Sequence, residues 1–408
     1  MSTIRVFSET SLQFLEAIGE RIQVSGGYRT LSLSTVASAE SDETINIPDV
    51  LNSAETLEFC GLSSEVSRHL YDKWLNVTSK IEPGQLGHGM PLISLAREYI
   101  EGKGSQCNAL TERDDWNEAL EQQGLHPTTR GRILDVRFKN IRLTQSASYW
   151  ALDTLNLSWE FLDGLDQRIQ KTKEQADLRS TSPDISTAPS RAMKQSVSPL
   201  SSALHEGTSL KLAVETEVPT AVEGRVLVYK GGSYTRLISI FRPDGSLNLA
   251  QIVSTPPCDF HPTRRDLYFT KQYDVALQYA EYVHTRVPPQ EPAVLTAALP
   301  NEYTASSIGI FGPDWKKLVW LSRNNNALYE YDGILPQELD VYTEAEVLIG
   351  LTCGQGSDQI NRMKSADELT VLNTKAGVKA TQIMLNGSKM SSEKSDSFPT
   401  ITLFFLIN

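Results

Sequence analysis

The chain has 408 residues, a formal net charge of −12 and a pI near 5.1, with 40% hydrophobic and 22% charged residues. This length exceeds what one core readily serves and favours two domains, while the composition is that of chains that bury cores. The acidic balance excludes a nonspecific nucleic-acid binder, which needs clustered Lys and Arg to release phosphate counterions.

The opening MSTIRVFSETSLQFLEAIGE lacks the basic start, apolar middle and small-residue cleavage site of a signal peptide, and no run is long enough to span a bilayer. Neither a membrane nor a nucleic acid is expected as a partner. Cys60, Cys107, Cys258 and Cys353 are far apart, form no C-x-x-C pair and have no His at zinc-ligand spacing. Free thiols in the cytoplasm or nucleus, and no metal site, are the expectation.

Taken in order, residues 1–50 hold one expected helix around Leu12 to Ile22 and then a Ser/Thr-rich acidic stretch, and read as a loosely ordered segment. Residues 51–170 read as a helical domain, because apolar residues recur at three- and four-residue spacing, as in Leu70, Trp74, Leu75 and Trp159, Leu162, Leu165, Ile169. Breakers separate the helices at Pro83-Gly84, Gly102 to Gly104 and His126-Pro127. Arg130, Arg132, Arg137, Lys139 and Arg142 make a locally basic stretch interrupted by Ile133, Leu134, Phe138 and Ile141. It reads as a solvated helix face, with a docking surface for an acidic partner as the alternative.

Residues 171–209 are Ser/Pro-rich with few large apolar residues, the composition of a disordered linker. In residues 210–390 the period changes. RVLVYKG, DLYFT, AVLTAALP and AEVLIGLT read as short strands, and DVALQYAEYV and DWKKLVWLSRN as helices. The tail, 391–408, ends in an apolar run that suits a final strand or an unpaired segment. The expected class is thus a two-domain protein, an all-α N-terminal domain followed by an α+β C-terminal domain.

Several ordered segments of the C-terminal half carry a family resemblance. Val228-Tyr229-Lys230-Gly231-Gly232 stands where the family has a Leu-Tyr-His-Gly-Ser strand. Asp259-Phe260, Leu267-Tyr268-Phe269-Thr270 and Ala276 to Ala280 follow its Asp-Phe-Gly, Phe-Tyr-x-Thr strand and Ala-x-x-Trp-Ala helix. Trp315, Trp320 and Arg323-Asn324, then Val347 to Gly350, then Gln382-Ile383-Met384-Leu385, complete the series. Over roughly residues 222–390 the chain resembles a divergent ADP-ribosyltransferase-like family of unknown function found in bacteria and fungi.

The resemblance implies a split β-sheet cleft holding NAD, with Tyr229, Lys230, Tyr268 and Thr270 as its cofactor-binding residues. Gln382 falls at the position where a Glu usually hydrogen-bonds the nicotinamide ribose and stabilises the departing oxocarbenium-like centre. Glu344 and Glu346 are the nearest carboxylates able to compensate. Two departures weaken the catalytic reading: Lys230 replaces a His and offers donors only, and Gln382 offers a dipole without charge. The implied activity is NAD-dependent ADP-ribosyl transfer or NAD glycohydrolysis, weakened by these changes. The alternative is a non-catalytic interaction protein, with a helical domain that binds a protein partner and an inactive ADP-ribosyltransferase-like module. A Ser–His–acid hydrolase is a weaker reading, since no G-x-S-x-G elbow occurs.

Overall fold

The computed structural model describes residues 4–37, 43–81, 89–111, 115–180, 221–242, 247–390 and 402–407. The chain divides into two compact units, residues 1–51 with 160–209, and residues 52–159 with 210–408. The breaks fall after residues 51, 159 and 209, against the expected 50, 170 and 209, and the segments group differently: the helices up to Trp159 go with the α+β part.

In the first unit, residues 4–37 and 43–50 of the expected loose segment form defined elements. Its helix spans Glu9–Ala17, shorter than the predicted Leu12 to Ile22, because Ser8 caps it by accepting a hydrogen bond from Ser11 N and Gly19 (φ 88) turns the chain away. Three short strands, β1 (Gln23–Ser25), β2 (Tyr28–Ser32) and β3 (Thr44–Pro48), form an antiparallel sheet in that order. Glu20 ties the chain before this sheet to the turn after β2, accepting from Ser32 N at 2.7 Å and Thr35 Oγ1 at 2.6 Å. Burial alone would raise its pKa, but the bonds from Thr35 and Ser32 outweigh that and hold it below the ordinary value. The first helix is anchored by Asp166 of helix Leu165–Ser180, whose Oδ1 accepts from Ser8 N at 2.8 Å. That helix continues through the first residues of the expected linker, and residues 181–209 lie outside the described residues.

The second unit is built on one mixed, seven-stranded sheet. Its strands are β4 (Arg225–Ser233), β5 (Leu267–Thr270), β6 (Pro292–Pro300), β7 (Ile308–Ile310), β8 (Val347–Leu351), β9 (Thr381–Leu385) and β10 (Thr402–Ile407), in the spatial order β10-β6-β4-β5-β9-β8-β7. All neighbours are antiparallel except β7 and β8. The four strands expected at 225–231, 266–270, 293–300 and 345–352 are present; β10 places part of the apolar tail beside β6, and residues 391–401 lie outside the described residues. Every residue from Ala293 to Leu299 is buried, as the continuous apolar run of β6 requires when both faces are covered.

On one face Val228, Leu267, Phe269, Leu295, Ala297, Ile383 and Leu385 pack with Leu237, Ile240 and Ile252 from the segment after β4. The other face is covered in two places. Helix Gly312–Arg323 sets Trp315, Leu318 and Val319 among Phe260, Ile310, Leu348 and Met384. Trp315 is buried and Trp320 partly so, as their five-residue spacing predicts. Helix Tyr273–Arg286 lies over β4 and β6, with Ala276 and Ala280 against Val294. Its approach is close enough that a Cβ on Gly231 would stand 1.8 Å from the Ala276 carbonyl oxygen.

The far side of helix Tyr273–Arg286 explains why the helical stretch is not a separate domain. Tyr282 Oη donates to Ile133 O at 2.8 Å, and its ring packs on Phe138 and edge-on to Trp150. Arg286 lies over Trp150 and Tyr282, and donates to Asp153 Oδ2 at 2.7 Å and Thr154 Oγ1 at 2.9 Å. Asp153 also accepts from Arg236 at 2.6 Å. Burial opposes the Asp153 charge, yet the two guanidinium groups hold its carboxyl below the ordinary range. Gln290 Nε2 donates to Leu157 O at 2.7 Å. Helix, helix and sheet therefore share one interior.

The glycine pair of β4 makes this packing testable. At Gly232 a Cβ would meet only the Leu237 side chain at an ordinary 3.6 Å. Gly231→Ala must push helix Tyr273–Arg286 off the sheet and is expected to destabilise the protein by about 3 kcal/mol or more, whereas Gly232→Ala stays within about 1 kcal/mol. Urea unfolding of the two variants side by side checks the contrast.

Candidate functional site

The register of the large sheet aligns several sequence-predicted residues. Thr296, Tyr229, Thr270, Gln382, Gly350 and Ile310 oppose one another in successive strands, from β6 through β4, β5, β9 and β8 to β7. Directly opposed residues share a face. Tyr229, Thr270 and Gln382 are therefore brought into one row, with Tyr268 two positions along β5 on the same face. Within this row β4 and β5 are joined at a single position, Tyr229 with Thr270, while β4 pairs with β6 over its whole length. The sheet is continuous but has a seam there.

Lys230 alternates to the opposite face, and its Nζ bridges the seam by donating to Tyr268 O at 3.3 Å. Burial pushes its ammonium down to about 8, an effect the nearby Cys258 thiol opposes. Tyr268 Oη accepts from Phe260 N at 3.3 Å, and burial with Cys258, Asp266 and Asp259 close by keeps its phenol protonated well above the ordinary pKa. Tyr229 packs edge-on against Tyr273, 5.4 Å between ring centroids. Thr270 Oγ1 lies 2.9 Å from Gln272 Oε1 and 3.0 Å from Thr381 O, and accepts from Gln272 N.

Gln382 is buried, and its amide is fully engaged as a donor. Nε2 reaches Asp259 Oδ2 at 2.7 Å and Leu351 O at 3.0 Å. Asp259 Oδ2 also accepts from Cys353 N at 2.9 Å, and its Oδ1 accepts from Arg323 Nη1 at 2.8 Å. Arg323 in turn donates from Nε to Ser357 Oγ at 3.0 Å and from Nη2 to Thr144 O at 3.2 Å. Burial works against the Arg323 charge, and Asp259 together with Cys353 and Cys258 more than offsets it, so the guanidinium is held above its ordinary pKa. Thr144 Oγ1 lies 3.2 Å from Tyr279 Oη, and a Cβ on Gly356 would stand 2.8 Å from the Gln145 carbonyl carbon. The end of the sheet where Gln382 sits is thus closed over by residues of the helical stretch. Burial pushes the Cys353 thiol up to about 12, with Asp259 adding to the effect, and the Cys258 thiol likewise to about 12. Neither is a thiolate near neutrality, so neither is an activated nucleophile.

Glu344 and Glu346 are not part of this cluster. Both are exposed at the other end of β8, where Glu346 O accepts from Asn386 N. Gln382 opposes Gly350, four residues further along, which is roughly 13 Å at strand rise. His261 is half-buried and caps its own turn, its Nδ1 accepting from Arg264 N at 2.9 Å and Thr263 N at 3.2 Å. Arg264 is committed to Asp266 Oδ1 at 2.7 Å and Thr343 O at 2.7 Å. Asp259 and Arg323, the centre of the network, stand in sequence only as parts of Asp-Phe and Arg-Asn pairs. They are 64 positions apart, with no sequence signal that joins them. All four cysteines are free and buried, and no described helix is long and apolar enough to cross a membrane.

Two outcomes follow. Asp259→Asn leaves Arg323 buried without its counter-charge and is expected to cost about 3–5 kcal/mol in urea unfolding, as breaking a buried pair does. For Lys230, the unfolded chain keeps its proton up to about 10.5 and the folded protein releases it near about 8. The half-buried charge therefore weighs on the fold below about 8, and stability from this group rises as pH climbs from there toward the unfolded value. Lys230→Met should raise the midpoint at pH 7 by about 1–2 kcal/mol and remove that rise, as denaturation across alkaline pH would read. Comparison with protein-family models, curated proteins and solved structures finds no match for the chain.

Proposed function

We propose that the protein is a non-catalytic interaction protein, in which the ADP-ribosyltransferase-like module serves as an inactive scaffold fused to a helical partner-binding part. The observation that carries this reading is that the carboxylate beside Gln382, Asp259, is committed to the protein's own donors. Both amide hydrogens of Gln382 are engaged by Asp259 and Leu351, inside a network that Arg323 and Thr144 close. Transition-state stabilisation at a departing nicotinamide needs an acceptor, best a carboxylate, aimed at developing positive charge. Asp259 is the carboxylate beside Gln382, and its oxygens accept three hydrogen bonds from the protein itself. Glu344 and Glu346 stand at the far end of β8. The seam between β4 and β5 suits the split-sheet form that the resemblance implies, and its bridging by Lys230 suits a scaffold better than an NAD cleft.

The test is nicotinamide release from NAD by the full chain, followed by chromatography, with NAD binding measured by calorimetry in parallel. No release above the buffer rate is expected. Release that Tyr268→Phe and Thr270→Ala both reduce would restore the NAD-consuming enzyme.

A further inference from the structure

A second feature lies on the described surface after helix Gly312–Arg323. Helix Asn325–Tyr329 ends in a tight turn in which Leu328 O accepts from Tyr331 N at 3.0 Å and Gly333 N at 3.1 Å, and Tyr329 O accepts from Asp332 N at 3.1 Å. Asp332 (φ 56) and Gly333 (φ 75) both occupy the left-handed region, and Asp332 is the non-glycine residue that does so among the described residues. Such a conformation persists where the surroundings fix it. The turn holds three large side chains outward: Tyr329 is 81% exposed, Ile334 72% and Tyr331 42%. Lone exposed apolar residues need no explanation, but three on one fixed turn form a patch.

The turn itself carries Glu330 and Asp332, and Glu338 and Asp340 follow it in sequence. On the other side Asn361, next to Arg362, accepts from Asn325 N at 2.8 Å. Lys317 approaches from the preceding helix, pairs with Glu338 at 2.6 Å and lies near Tyr331, which brings residues 337–342 beside the turn. Tyr342 Oη donates to Asp314 Oδ2 at 2.6 Å on the same side. Glu330, Asp332 and Asp340 are exposed and form no ion pair among the described residues.

We propose that the turn Tyr329–Ile334 and its acidic border dock a short basic segment of a partner protein, an apolar residue flanked by Lys or Arg. This names the partner class for the interaction-protein reading and rests on it. Tyrosine and isoleucine held in place supply contact area at low entropy cost, and the carboxylates around them favour a cationic partner and raise its on-rate. The same charge argues against a second copy of this surface, whose like charges would face each other, and against an anionic lipid surface.

The experiment uses the full chain and a labelled synthetic peptide of alternating Lys and Leu, with a Glu/Leu peptide as control, read by fluorescence anisotropy over a salt series. The probe is expected to bind, and the control is not. Tyr329→Ser with Ile334→Ser should weaken the probe at least about tenfold. Glu330→Gln with Asp332→Asn and Asp340→Asn should weaken it and flatten its salt dependence. Both sets lie on the surface, so circular dichroism should match the parent chain. Equal binding of both peptides, or no loss in the double serine variant, overturns the proposal. So does a peptide copying residues 181–220 that displaces the probe, which would make the occupant this chain's own, or a self-association that Ile334→Ser abolishes. Nicotinamide release fails or succeeds separately, so loss of the scaffold reading and loss of the docking surface are told apart.

Discussion

The contact between Asp259 and Arg323 is the constraint from which the second unit is organised. A buried carboxylate and guanidinium are stable only when every remaining donor and acceptor is satisfied. That requirement fixes the start of β9 through Gln382, the exit of β8 through the Cys353 amide, the end of helix Gly312–Arg323, and the helical stretch through Thr144. Elements far apart in sequence are thereby held to one point. The same satisfaction commits both amide hydrogens of Gln382 to the core.

A second constraint is the closeness of helix Tyr273–Arg286 to β4. Gly231 admits the helix backbone onto the sheet, and on its other side Tyr282 and Arg286 receive Phe138, Trp150 and Asp153. The helix is thus a middle layer, and its two faces bind the helical stretch and the sheet into one core. Polar anchors within this layer, Asp153 with two arginines and Gln290 with Leu157 O, set its register where apolar packing alone would allow sliding.

Much of the α+β part was legible from the sequence because its strands are short β-branched and aromatic runs between breakers, and its long helices keep a clear apolar stripe. Strand β7 was not, since Ile308–Ile310 offers three residues with no alternation to read. Tyr229, Thr270 and Gln382 share one row, while strand alternation sends Lys230 to the other face, a point that adjacency in sequence hides. Glu344 and Glu346 lie at the other end of β8 from the residue opposite Gln382, because strand rise carries them away from it. The boundary at residue 170 was illegible for a different reason. Amphipathic spacing shows that a helix has a buried side, without showing which partner covers it.

The first unit is discontinuous, made of residues 1–51 and the stretch that begins at Glu160. During synthesis from the N-terminus, the capped helix at Glu9–Ala17 emerges well before the Asp166 carboxylate that anchors it. Residues 52–159 meanwhile await Arg286 and Gln290, which arrive later still. The second unit therefore cannot close until the sheet strands have followed, long after its first helices are made. A cut at residue 170 would split the second stretch of the first unit, and a cut at 210 would part residues 52–159 from Arg286 and Gln290, although the composition suggests two separable domains.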